Sequence, residues 1–307
     1  WTSEVAAGGP QARGARYWLG RIARVQGQGA RADSLWRALA REDSLGYYGA
    51  VARRAVEVPA PRVAPAPRSE RIPVSVAAAL AAIDTLKLAR LDSEARLEVR
   101  YMLLRPPQDP EAILALSEGL AQRGFGGAAV RLAWNAATAL SLNQPRVLRA
   151  VFPWPMRALV ELEANENGVD PYLFVALIRQ ESTFDTEALS PAGARGLAQL
   201  VPGTASLTAR GLDVSFRNEW ITVPDLNLHL GAAHLADLLR QFGGRVEVAL
   251  AAYNAGTAPA RRWLAQPGAD DPELFVELVG YPETRNYVRS VLRNRDLYRA
   301  LYPEPAP

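Results

Sequence analysis

Cysteine is missing from all 307 residues, which excludes disulfides, thiolate metal sites and a cysteine nucleophile without fixing a compartment. Lysine is almost missing too: Lys87 is the only one, so arginine carries nearly all the positive charge. The two histidines, His229 and His234, lie five positions apart. On one helix they point about 140° away from each other, and they lack the His-Glu-x-x-His pattern, so helix-surface or packing histidines are expected, with no metal site. No glycine loop ending in Lys-Ser or Lys-Thr is available to cradle a phosphate, and no cofactor is expected. No apolar run approaches the ~20 residues that span a bilayer. The chain opens at Trp1 without methionine or a basic–apolar leader, as expected of a processed or trimmed product whose export signal is gone.

What is present is an uneven charge. The formal net charge is only +3, but residues 1–150 hold 21 basic and 13 acidic side chains, whereas residues 151–307 hold 14 and 19. A basic first half points to an anionic polymer or surface as a neighbour, with ordinary solvated helix faces as the plain alternative. The arginines are scattered and no basic run is interleaved with aromatics, so nucleic acid is not expected.

Outside the proline clusters the chain reads as helix throughout, and the fold class expected is all-α. Alanine, leucine and arginine dominate, and strand-type alternation never persists. Residues 14–26 and 31–55 read as a helical hairpin broken around Gly27 to Gly29. Residues 58–73 carry five prolines and read as an extended connector. Further helices are expected over 76–91, 93–104, 110–123 and 127–140, with Asp92 and Asp109 as N-caps and Pro110 in a first turn. Prolines at 145, 153 and 155 mark the next boundary, near residue 150. From Met156 onward the helices shorten and the loops become rich in Gly, Asn and Pro, where function tends to concentrate.

One carboxylate stands out. Phe174, Leu177, Ile178 and Glu181 fall at i, i+3, i+4 and i+7, one face of a helix that Asp170 caps and Pro171 begins. Glu181 therefore sits on an apolar stripe. Burial there raises a carboxylate's pKa and makes it a proton donor at neutral pH. The alternative is a glutamate at a helix end that reaches solvent or pairs with Arg179 or Arg195. Closely following are Ser190-Pro191, two glycines at 193 and 196, and Gln199, whose amide both donates and accepts. Later, Ala251 to Gly256 places Tyr253 at a helix end with Gly256 as a left-handed C-terminal residue, and Tyr281 to Val288 opens a final helix with Glu283 near its positive end. Taken singly, each of these reads as structural: Tyr253 as half-buried packing, Glu283 as a dipole partner.

Together, Glu181-Ser182, Gly196-Leu197-Ala198-Gln199-Leu200, Ala252-Tyr253-Asn254-Ala255-Gly256 and Glu283-Thr284-Arg285 resemble, in order and spacing, the catalytic domain of the soluble lytic murein transglycosylases. The resemblance covers about half of the chain, from Phe152 to Tyr302. More weakly, Ala15 to Gly20, Leu35 to Ala40 and Tyr47-Tyr48-Gly49 are similar to the last repeat of that family's superhelical region. The implied division is 1–57 as the end of a superhelical helix-pair region and 58–73 as the connector, then 74–150 as a helical linker domain and 151–307 as a lysozyme-like catalytic domain. It also implies that only the end of the superhelix is present here.

The resemblance implies cleavage of the β-1,4 bond between N-acetylmuramic acid and N-acetylglucosamine in peptidoglycan. The muramic C6 hydroxyl attacks C1 and leaves a 1,6-anhydro end. Glu181 would be the sole acid and then base; Ser190 and Gln199 would touch the sugar, Tyr253 would position Glu181 and the glycan, and Glu283 would border the groove. A two-carboxylate glycosidase needs a partner about 5–5.5 Å away for retention. Asp185 is the nearby candidate, and it reads instead as a turn residue. The family usually has methionine at the positions of Ala198 and Val201, which puts the shape of the groove in question. A monomer in the periplasm or cell envelope is expected. The rival readings are a hydrolytic muramidase on the same scaffold and a non-catalytic helical scaffold that binds glycan or envelope proteins.

Overall fold

The computed structural model describes residues 11–59, 63, 72–142 and 144–303. Among them the regular elements are sixteen α-helices and a single 3₁₀ turn, with only isolated bridges of β type. The connector expected over 58–73 lies, apart from its ends and residue 63, outside the described residues. None of the described helices is long and apolar enough to cross a membrane. The chain divides into two compact units, Trp1–Arg62 with Leu238–Pro307, and Val63–Asp237.

The first unit joins the two ends of the sequence. It contains α1 (Ala12–Val25), α2 (Gly29–Glu42) and α3 (Tyr47–Ala55), followed after the tail of α12 (Pro224–Gln241) by α13 (Val246–Ala255), α14 (Thr257–Leu264), α15 (Pro272–Leu278) and α16 (Pro282–Leu301). The second helix expected over 31–55 is in fact two, because Gly46 leaves the helical region (φ −96°, ψ 165°) and Asp43 turns its carboxylate back to accept the Gly49 N–H at 3.0 Å. Tyr17, Trp36 and Leu39 fill the α1–α2 seam, with the Trp36 indole donating to the Tyr17 carbonyl at 3.1 Å. Polar bonds then tie these helices to the C-terminal ones: Tyr48 Oη to Glu277 at 2.7 Å, Arg54 to Asp296 at 2.9 Å, and Arg21 to Asp271. Asp271 also caps α15 through the Leu274 N–H at 2.9 Å.

The second unit runs from α4 (Val74–Leu88) through α5 (Asp92–Leu104), α6 (Pro110–Gln122), α7 (Gly126–Leu140), α8 (Pro145–Val151), α9 (Arg157–Glu166), α10 (Pro171–Ser182) and α11 (Pro202–Gly211) to most of α12. Asp109 caps α6 as expected, accepting the Ala112 N–H at 2.9 Å, whereas Asp92 is already inside α5 and makes no cap bond. Helix α6 is apolar on nearly all sides and is buried accordingly, pairing with α7 through a Ser117 hydroxyl donated to the Ala129 carbonyl at 2.7 Å. A two-pronged ion pair from Arg123 to Asp84, at 2.6 and 2.7 Å, fastens α4 to the end of α6.

Candidate active site

Helix α10 begins as its sequence demands. Asp170 accepts the Tyr172 N–H at 3.0 Å and Pro171 occupies the first turn. Leu173 to Ile178 are all buried, so the stripe carrying Phe174, Leu177 and Ile178 is a true core face. Glu181 extends that stripe into the last turn, where it is only partly buried. The carboxylate lies on the apolar stripe as expected, but the helix ends one residue later, so the side chain sits at the rim of the core. A rim position suits a group that must reach a substrate.

The helix stops abruptly. Thr183 and Phe184 both take left-handed backbone angles (φ 51° and 63°), which a β-branched residue such as threonine rarely adopts. Phe184 locks the turn in place: it is 1% exposed and its Cβ lies where a side chain on Gly126 would have to go. The Ser182 hydroxyl accepts the Phe184 N–H at 3.1 Å. On the other side, Arg179 donates to the Val151 carbonyl at 2.7 Å and lies over the Phe152 ring at 4.3 Å. The turn carrying Glu181 is thus held from three directions within its unit.

Asp185 follows, and it is a turn residue. Its carboxylate accepts the Glu187 N–H at 3.0 Å and faces Arg96 at 3.6 Å, with nearly half of its side chain in solvent.

The loop from Ala188 to Leu200 closes on itself through a lattice of main-chain bonds. Gly196 N–H donates to Ala188, and Arg195 and Leu200 exchange bonds at 3.0 and 3.1 Å. Both predicted sugar-contacting residues also serve this lattice. The Ser190 hydroxyl accepts the Ala194 N–H at 3.0 Å. The Gln199 amide nitrogen donates to the carbonyls of Ala188 (3.1 Å) and Gly196 (2.9 Å) while its backbone is left-handed at φ 47°. With its nitrogen occupied, Gln199 has its carbonyl oxygen to offer as an acceptor.

Sequence reasoning missed the residue that organises this loop. Asn227, completely buried on α12, accepts the Ala198 N–H at 2.8 Å and donates to the carbonyls of Ile221 (2.7 Å) and Arg195 (3.1 Å). Every hydrogen-bonding direction but one of its amide is used. The same contact explains Gly196: its φ is 76°, and a Cβ there would lie 2.6 Å from the Asn227 amide nitrogen. The sequence signal was weak, because Asn227 shares its helix face with Leu230 and Gly231 but also with the polar His234.

The departures at Ala198 and Val201 separate. Ala198 is wholly buried, packed against Gly231 of α12, whereas Val201 is 38% exposed. Only Val201 bears on the accessible surface; Ala198 bears on the packing beneath it.

Tyr253 and Glu283 belong to the other unit. Tyr253 lies half-buried in the last turn of α13, which ends at Gly256 with φ 89° and ψ 160°. That is a positive φ as expected, but extended in ψ and not left-handed helical. Glu283 is exposed in the first turn of α16, among the free N–H groups that favour a carboxylate. The Thr284 hydroxyl donates to the side-chain amide oxygen of Asn254 at 2.6 Å and so joins the two segments directly.

Glu163, Glu166 and His229 place ligand-type atoms within 4.8 Å of one another. The bond from His229 Nδ1 to the buried Glu163 carboxylate, 2.8 Å, already accounts for the two inner members as a hydrogen-bonded pair across α9 and α12. His234 is partly buried, and desolvation pushes its pKa below the ordinary value, with nearby Asp237 opposing.

Residues 158–276 match the family model of the transglycosylase SLT domain. The chain is 29% identical over 288 residues to the soluble lytic murein transglycosylase of Salmonella typhimurium, which takes in 92% of this chain and 43% of that protein. Against the Escherichia coli protein of the same name the identity is 28% over the same length. Among solved structures, an inactive variant of lytic transglycosylase Slt from Pseudomonas aeruginosa is 28% identical with a TM-score of 0.75, covering 96% of this chain and 47% of that one. The 70 kDa soluble lytic transglycosylase of Escherichia coli shares the fold at a TM-score of 0.80, with 24% identity over 95% of this chain and 46% of that one. The chain therefore spans less than half the length of these relatives.

Proposed function

From the premise that this all-helical chain carries a transglycosylase SLT domain, we propose that it cleaves the β-1,4 bond between N-acetylmuramic acid and N-acetylglucosamine in peptidoglycan without consuming water. Glu181 is the acid and then the base. Protonated, it donates to the leaving glycosidic oxygen; as the carboxylate, it takes the proton from the muramic C6 hydroxyl as that oxygen attacks C1, leaving a 1,6-anhydro end. One carboxylate suffices because the two proton transfers are sequential and opposite.

The observation that carries this reading is the place of Glu181 at the end of a firmly held helix. It stands at the rim of a rigid core, on a helix end fixed by a strained turn, while the neighbouring Asp185 is engaged with a turn amide and Arg96. Ser190, Gln199, Tyr253 and Glu283 are the glycan-binding residues in this proposal. Ser190 and Gln199 act through a loop whose shape Asn227 maintains; the Gln199 carbonyl oxygen is suited to a sugar hydroxyl or amide N–H.

The division into an end of a superhelical region (1–57), a connector (58–73), a linker domain (74–150) and a catalytic domain (151–307) belongs to the same proposal, as does a periplasmic or cell-envelope location. So does an anionic wall polymer as a neighbour of the basic first half. Mass analysis of digested peptidoglycan tests the reaction. Anhydro-ended fragments, one water lighter than reducing-end fragments, are expected. Reducing ends alone would establish a hydrolytic muramidase instead, and no cleavage would leave a non-catalytic scaffold.

A further inference from the structure

Within the unit formed by the two ends of the chain, α3 and α16 flank an open cavity of about 230 Å³ with an unusual wall. Arg53 and Arg54 line it from α3, and Arg295 and Arg299 from α16, with Asp296 as the one acid. Asp296 is already divided between Arg54 at 2.9 Å and Arg295 at 3.0 Å. Asp43, the other acid whose charge acts on Arg53, is occupied by the Gly49 N–H and by Arg13 at 3.3 Å.

Arg53 is the telling residue. It is 9% exposed, yet its recorded bond is to a neutral group, the Ser44 carbonyl at 2.9 Å, and no carboxylate among the described residues pairs with it. Burial pushes its pKa below the ordinary arginine value; Asp296 and Asp43 offset this in part and Arg54 adds to it. A guanidinium withdrawn from water without a counter-ion is costly, and arginine does not relieve that cost by losing its proton. A bound anion would relieve it. Guanidinium forks match the oxygens of a phosphate or phosphate ester in pairs, and a cavity of this size holds such a group.

We propose that the α3–α16 cavity is a binding site for a phosphate group, presented as a phosphomonoester or phosphodiester, with Arg53 at its base and Arg54, Arg295 and Arg299 at its mouth. The site lies outside the glycan-cleaving machinery and stands independently of that reading. It also places the positive charge of this unit more finely than the sequence does, since half of the cluster comes from the acidic half of the chain.

The test is direct binding by the whole 307-residue chain. Inorganic phosphate and glycerol 3-phosphate are titrated calorimetrically at constant ionic strength, with acetate as the carboxylate control. Arg54 and Arg299 are exposed, so the Arg54→Gln/Arg299→Gln variant keeps the fold, which circular dichroism verifies. Saturable phosphate binding, weakened at least about tenfold in that variant and absent with acetate, is expected. Phosphatidylglycerol vesicles that sediment the chain, and fail to sediment the double variant, identify a lipid head group as the source of the phosphate; soluble binding alone identifies a free ester. Equal affinity of the wild type and the double variant, equal binding of acetate, or no saturable binding up to about 10 mM phosphate overturns the proposal.

Discussion

Replacing Asn227 by leucine keeps the branching and heavy-atom count of the side chain but removes every bond its amide makes. Three main-chain groups lose their partner: the Ala198 N–H, in a fully buried residue; the Ile221 carbonyl, in a residue 1% exposed; and the Arg195 carbonyl, less enclosed. A buried group left unsatisfied costs about 1–3 kcal/mol. Two such groups and a fraction of the third sum to about 2–7 kcal/mol, a large part of the whole stability of an ordinary domain. Urea unfolding followed by far-ultraviolet circular dichroism measures this, and hydrogen exchange at Ala198 localises it.

Asn227→Asp supplies a second, sharper readout. The new carboxylate keeps the Ala198 bond but faces two carbonyl oxygens, so only its protonated form can donate to one of them. Its folded pKa is therefore raised above the unfolded value, and the stability it confers is present at low pH and lost as pH rises through the folded value. The aspartate variant should recover stability on acidification from pH 8 to about pH 5 relative to the wild type. A leucine variant that loses less than about 1 kcal/mol, or an aspartate variant whose deficit is flat with pH, would refute the account of the loop given above.

Other outcomes follow from the same geometry. Glu181→Gln is expected to lower glycan turnover by about 10²–10⁴-fold while leaving the dissociation constant for a glycan fragment within about twofold, as read by calorimetry; retained turnover removes Glu181 from the reaction. Gly196→Ala forces a side chain into φ 76° and against the Asn227 amide, so a loss of about 2–4 kcal/mol in urea unfolding is expected. Asp271 is opposed by burial, but the Arg21 bond and the Leu274 N–H overcome it and hold its carboxyl below the ordinary value. Its contribution to stability is thus present above the unfolded pKa and lost as pH falls below about 4. The gap in stability between wild type and Asp271→Asn should narrow over that acid range; a constant gap would sink the assignment.

The sequence showed what is local. Helix α10 was legible because a cap, a first-turn proline and an apolar stripe all fall within a dozen residues, and its one discordant side chain singled out Glu181. The turn at Thr183 was not legible: nothing in Ser-Thr-Phe-Asp announces two left-handed residues, since the packing of Phe184 against Gly126 imposes them from far away in sequence. Asn227 was not legible because the polar His234 shares its helix face and an amide carries no obvious chemistry. The split between α2 and α3 depended on a side-chain bond from Asp43 that composition alone does not signal. The union of the two chain ends in one unit rests on pairs such as Tyr48–Glu277, which no window along the chain contains.

The contact between Ala198 and Gly231 carries a lesson about inheritance. A Cβ on Gly231 would sit 2.5 Å from that of Ala198, so the two positions draw on one small volume that neither can enlarge alone. A variant with methionine at 198 would have to move α12 or the loop to house it, while one with any side chain at 231 would push the loop from its seat. These two sites, thirty-three positions apart, are therefore expected to drift as a pair. Variants that change one should persist only in lineages that have also adjusted the other.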